Sequence, residues 1–232
     1  MKEQKTVSAS QAGFTLVEIA IVLVIIGLLL GGILKGQEMI TQAKIKNIVN
    51  DFNGITAAMN SYQDRYRALP GDENNAATVA RWGAAAFGGD GNGVFCTGAC
   101  ASPTTVKYNV AAAAPASGGA ETGLFWLHLR LSGFVAGATT GPTATQQPNN
   151  ASGGIIGVQT TGMGFTSNMV CTSNLPDKIA IAVDTQMDDG SSIAGQVRGM
   201  LQTAPNPDAA TAAPTVEYAE TGTNQYLLCK NL

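Results

Sequence analysis

The sequence predicts an α+β fold: one long N-terminal α-helix and a head domain built around a small antiparallel β-sheet, in which the second half of that helix is packed. Three observations predict it. Phe14 to Leu34 is a run of 21 residues that is apolar apart from Glu18. From Ile45 to Tyr66 apolar residues recur every three or four positions. Downstream, short apolar stretches rich in β-branched residues are separated by clusters of Gly, Pro, Asn and Asp. The expected organisation is a polar leader over 1–13, a hydrophobic helix over 14–36, and a head over 37–232 that includes the amphipathic half of the helix.

The apolar run comes first. As a helix, Phe14 to Leu34 is about 31 Å long, roughly the thickness of a bilayer hydrocarbon core. Beyond Gly36 the stripe Ile45, Ile48, Phe52, Ile55, Met59, Tyr62 and Tyr66 lies along one face, with Lys46, Asn47, Asn50, Asn53, Asn60 and Asp64 mostly on the rest. This spacing marks a helix covered on one side. An uninterrupted helix from Phe14 to Tyr66 would span about 80 Å at 1.5 Å per residue. Ala68-Leu69-Pro70-Gly71-Asp72 ends it, because proline cannot continue a helix and glycine follows.

Glu73 to Trp82 predicts a short helix, and Glu121 to Ser132 another that packs Leu124, Phe125, Trp126, Leu127 and Leu131 on the long one. Between them Gly88 to Gly93 is a turn cluster, and Ala136 to Gly154 a surface loop. Ile155 to Thr160, Gly164 to Cys171 and Ile193 to Leu201 are candidate strands. In Pro176 to Met187, Ile179, Ile181 and Val183 alternate like a strand, while Pro176-Asp177 at the start and Asp189-Gly190 beyond the end fit a helix better. Thr215 to Ala219 and Gln225 to Cys229, joined by Gly222-Thr223-Asn224, suggest a closing hairpin.

Glu18 is the informative residue. A carboxylate inside a bilayer costs at least about 2.5 kcal/mol, so it is either paired in the final state or functional. An ordinary secretory signal places its apolar region before a small-residue cleavage site. Here the order is inverted, with Ala12-Gly13 preceding the apolar run. A cut after Gly13 would keep the helix and expose a new amine on Phe14. That amine lies one helical turn from Glu18 and is a natural counter-charge, in the same chain or in a neighbour. The bland alternative is a plain single-span anchor with a stray glutamate.

The segment Gly-Phe-Thr-Leu-Val-Glu from Gly13 to Glu18, followed by an apolar run and a long helix, resembles the type IV pilins and the pseudopilins of type II secretion. The resemblance covers about the first fifth to quarter of the chain. It implies that a membrane prepilin peptidase cuts after Gly13 and N-methylates Phe14, and that Glu18 registers subunits during assembly. The implied life history is a single-pass precursor in a bacterial inner membrane, leader in the cytoplasm, that becomes a periplasmic or cell-surface filament. The implied partners are membrane lipid before assembly, an inner-membrane assembly platform, and identical or related subunits afterwards. Many pilins carry a helix-kinking proline in the apolar half; this chain has none before Pro70. Gly27, Gly31, Gly32 and Gly36 would weaken the helix there instead, each by up to about 1 kcal/mol relative to Ala.

Composition agrees with a structural subunit. The net charge is −3 and only 12% of residues are charged, against about 25% typically. Such a surface suits packing against like subunits better than steering toward nucleic acid or anionic lipid, and no specific nucleic-acid partner is expected. Four cysteines, Cys96, Cys100, Cys171 and Cys229, form an even set for an oxidising compartment. Three pairings are open, Cys96–Cys100 with Cys171–Cys229 among them. Metal binding is the competing reading, but there is no Cys-x-x-Cys and only one histidine.

No enzyme is visible. His128 has no nucleophile or carboxylate at usable spacing and reads as a structural histidine. Asp90-Gly91-Asn92-Gly93 has the start of a calcium loop, but the twelfth position from Asp90 is Ala101, which excludes an EF-hand. Asp184, Asp188 and Asp189 form a second acidic group. Together or apart these five residues offer oxygen ligands for Ca²⁺, as the heads of some pseudopilins do. The simpler reading is Asp and Asn serving the backbone of turns, with no cofactor. The expected function is a pilus-like filament subunit. A secretion pseudopilin is second, and a membrane-anchored periplasmic ligand-binding protein is the rival from a different class.

Overall fold

The computed structural model describes residues 15–95, 107–116 and 119–232. The chain divides into two units, Met1–Gln42 and Ala43–Leu232. Helix α1 runs Leu16–Tyr66. In the first unit its side chains are exposed, Leu16 and Leu28 the most so among the large apolar ones, and the exposed apolar stretch continues past Leu34 to Met39 and Ile40.

In the second unit α1 buries Ile45, Ile48, Phe52, Ile55, Ala58, Met59 and Tyr62. This is the predicted stripe with Ala58 added and Tyr66 half-buried. Arg67 ends the helix with a left-handed backbone, φ 55°. Gly71 follows at φ 88°. A Cβ there would lie 2.4 Å from the Glu121 carbonyl oxygen and 2.7 Å from the Phe125 nitrogen, so only glycine fits. The helix termination read from Pro70-Gly71 therefore has a packing reason as well as a conformational one.

Helices α2 (Asn75–Trp82) and α3 (Glu121–Leu131) follow. The expected loop 136–154 carries a single 3₁₀ turn, Pro142–Thr145. Strands β1 (Ile156–Gly162), β2 (Phe165–Pro176), β3 (Val197–Leu201) and β4 (Gln225–Asn231) form one antiparallel sheet in the order β1-β2-β4-β3. Helix α4, Asp177–Met187, follows β2 directly, which settles the ambiguous segment as helix. Its N-terminus is made by Asp177, whose carboxylate accepts from the amides of Lys178, Thr221 and Gly222.

The predicted closing hairpin is incorrect. Gln225–Asn231 is a strand, but 215–219 is not. Both sides of β4 are taken, by β2 and by β3. The 215–219 segment is held by side chains instead: Ser192 Oγ donates to the Val216 carbonyl, the Tyr218 hydroxyl donates to Asp184, and the Ala219 amide donates to the Tyr226 hydroxyl.

The sheet is covered on both faces. Ile156, Val158, Val170, Val197 and Leu228 join the α1 stripe, Phe125 and Trp126 in one core. Met169, Cys171, Leu227 and Cys229 join Tyr108, Met163 and Phe165 in a second. Cys171 and Cys229 face each other across β2 and β4 and are joined by a disulfide. Cys96 and Cys100 lie outside the described residues.

Candidate functional site

Helix α1 begins with a reciprocal cap. The Thr15 amide and hydroxyl both donate to the Glu18 carboxylate, at 2.8 Å each. The Glu18 amide returns a bond to the Thr15 hydroxyl at 3.3 Å. This is a capping box, in which a Thr and a Glu three positions on satisfy amides that the first helical turn leaves without partners. The sequence carries its signature, Thr-Leu-Val-Glu ahead of an apolar run. Reading Glu18 only as a membrane charge missed it, and with it the helix start at Leu16 in place of Phe14. In this chain Glu18 therefore has two capacities: its carboxylate closes the helix end, and it is the one acid in the apolar stretch from Leu16 to Leu34. Gly13 and Phe14 lie outside the described residues.

Next to this cap, Ile19, Ile21, Val22, Leu23 and Val24 are all between 46% and 64% exposed. Helix α1 is long and apolar enough to cross a membrane, and its most apolar window has no buried residue. Among the described residues of the first unit, nothing covers this surface. A rod with an exposed apolar first half, followed by an α+β head, is the architecture expected of a pilin-like chain. Residues 8–34 match the Prokaryotic N-terminal methylation motif, the prepilin-type signal of type IV pilins and pseudopilins. The match is confined to these residues at the start of the chain. No curated protein and no solved structure matches the chain.

The remaining candidates lie in the head. His128 is fully buried on α3. Its Nδ1 accepts from the Gly71 amide at 2.8 Å, and its Nε2 faces the Phe87 carbonyl at 2.8 Å. This pattern fixes the neutral Nε2–H tautomer, and burial lowers the pKa further from the ordinary value. Beside it, Glu73 takes a bidentate pair from Arg81 at 2.8 Å and a hydrogen bond from the Tyr62 hydroxyl. Burial pushes the Glu73 carboxyl up, but Arg81 and Tyr62 outweigh it and hold it low. Arg81 also lies over the Tyr66 and Trp82 rings. These groups clamp the end of α1 to α2 and α3. Both nitrogens of the imidazole are committed to the backbone, so it has no group to offer a substrate.

The acidic candidates fall into two separate groups. Asp90 joins Asp72 and Glu121, two residues that no local spacing links to it. Asp184, Asp188 and Asp189 form the other. In each, carboxylate oxygens of the three residues lie within 4.8 Å of one another, a spacing that a divalent cation can bridge. In each, the oxygens also serve turn amides. Asp72 accepts from Gly91, Asn92 and Gly93, and Asn92 accepts from the Val94 amide. Asp188 accepts from Gln196 and Val197, and Asp189 from Ser191. Burial raises Asp184 to about 6 even though the Tyr218 hydroxyl and the Gly190 amide donate to it.

Proposed function

We propose that the chain is a structural subunit of a type IV pilus-like filament, cut after Gly13, methylated on Phe14 and polymerised through α1. The observation that carries this reading is a helix that bears the methylation motif at its start and whose most apolar window has no buried residue among those described. In the precursor, lipid covers that surface; in the polymer, α1 of neighbouring copies does. Burial is retained in the exchange, worth about 1.5–3 kcal/mol per large side chain. Gly27 and Gly31, like Gly32 and Gly36, are four positions apart, with nothing in the chain within 4 Å of where their Cβ atoms would be. Small residues at this spacing let helices approach closely in an apolar medium.

Glu18 supplies register. Its carboxylate is positioned at the helix start, four residues along the chain from the amine that processing creates on Phe14. A desolvated pair of this kind adds little over an apolar contact, but removing one member costs about 3–5 kcal/mol. A subunit one step out of place therefore loses more than it gains. Glu18→Ala is expected to leave insertion and cleavage intact and to abolish filaments, scored by imaging of sheared surface material; normal filaments in that variant would refute the role. N-terminal sequencing of the mature chain separates this function from a membrane-held ligand-binding head. A methylated Phe14 supports assembly, whereas a chain still starting at Met1 overturns it.

A further inference from the structure

Within the second unit, a groove of about 290 Å³ runs between α1 and the segments around Phe134 and Pro148, lined among others by Asp51, Gly54, Trp126, Val135, Pro148 and Ile156. Three features of its lining have no explanation among the described residues. The indole N–H of Trp126 is buried and has no acceptor among the described residues. The half-buried carboxylate of Asp51 has no donor or cation there either, and burial alone pushes its pKa up. Gly54 sits in mid-helix, where glycine is unfavourable, yet nothing lies within 4 Å of where its Cβ would be. A helical glycine with open space above it fits a neighbour that approaches from outside. A half-buried acid in the same groove fits a neighbour that is cationic.

The same helix carries the complement. Lys44 and Lys46 have no ion-pair partner among the described residues. On α1 the positions that reach Asp51 are Ile48, Asn47, Gly54 and Ile55, three or four residues away, so neither lysine meets it in its own helix. One chain thus holds both halves of an ion pair that these residues of α1 do not close within their own helix. We propose that the groove is a contact between copies: a lysine from α1 of a second copy, Lys44 or Lys46, enters it, its ammonium pairs with Asp51, and Gly54 gives the incoming helix room. The inference rests on the filament reading and adds to it a contact made by the head half of α1, separate from Glu18.

The test uses filaments of the unaltered chain. Zero-length carbodiimide coupling followed by peptide mass spectrometry is expected to join Asp51 to Lys44 or Lys46 of another copy, and Asp51→Asn to abolish that peptide. In parallel, Asp51→Lys is expected to lower filament yield at least tenfold, with partial recovery when Lys44→Glu and Lys46→Glu are added, while cleavage at Gly13 is unchanged. Circular dichroism of each variant identifies any loss through misfolding, and the coupling experiment on the unaltered chain does not depend on the variants. Filaments whose Asp51 couples to no lysine of another copy, or full yield from a folded Asp51→Lys, overturn the contact. A processed chain that forms no filaments at all overturns the assembly reading instead.

Discussion

Leu23 and Phe52 are large apolar side chains on the same helix, yet Leu23 is 64% exposed and Phe52 only 1%. The difference lies in what the chain provides around them. Phe52 belongs to a core completed by the chain's own sheet and α3. Leu23 belongs to a unit in which every described residue from 15 to 42 is exposed or half-exposed. One helix therefore answers to two different solvents. The stability of the head is set by α1 from Ile45 onward, and no described residue of the earlier half belongs to its cores.

That division is open to direct test. The largest effect is expected from Phe52→Ala, which should cost the head about 3–5 kcal/mol in urea unfolding, whereas Leu23→Ala should leave the unfolding midpoint unchanged; a shift from Leu23→Ala would break the comparison. Removing the disulfide through Cys171→Ala with Cys229→Ala comes next, at about 2–4 kcal/mol, and again only head unfolding should respond.

A smaller effect is expected from acid. His128 has a lowered folded pKa, so its contribution is complete above the ordinary value of 6.5 and is lost as pH falls below it, at up to about 1.4 kcal/mol per pH unit. Asp184 acts in the opposite sense: its folded pKa is raised to about 6 from 3.8, so its contribution is complete below 3.8 and is lost as pH rises through 6. In thermal melts between pH 7.5 and 4.5, His128→Gln should remove the first dependence and leave the second, so the variant should gain stability on acidification relative to the unaltered head. The smallest effect is Gly54→Ala, which should stabilise the isolated head by up to about 1 kcal/mol, since nothing in the chain opposes a methyl group there.

Much of this was legible because it rests on local patterns. The α1 stripe follows from spacing alone, and its end follows from Pro70-Gly71. The capping box at Thr15 and Glu18 was equally local, but the membrane context of Glu18 drew attention from the helix end it closes. What stayed hidden depends on pairing across long separations. The 215–219 segment has the composition of a strand, yet β4 has no free side to offer it once β3 has paired. Asp72, Asp90 and Glu121 converge only because the end of α1, the glycine turn and the start of α3 meet in space. Likewise, nothing near Asp51 in the sequence announces Trp126 beside it.

The position of β4 has a consequence for biosynthesis. Residues 225–231 are made late, yet they occupy an inner place in the sheet, between strands made earlier, and they bring the second half of the disulfide. A polypeptide interrupted before residue 225 has β2 and β3 but nothing to join them, and its two cores are left open. Folding of this chain thus has a built-in proofreading step: fragments expose greasy strand faces to proteases, and only chains translated past that point can hide them.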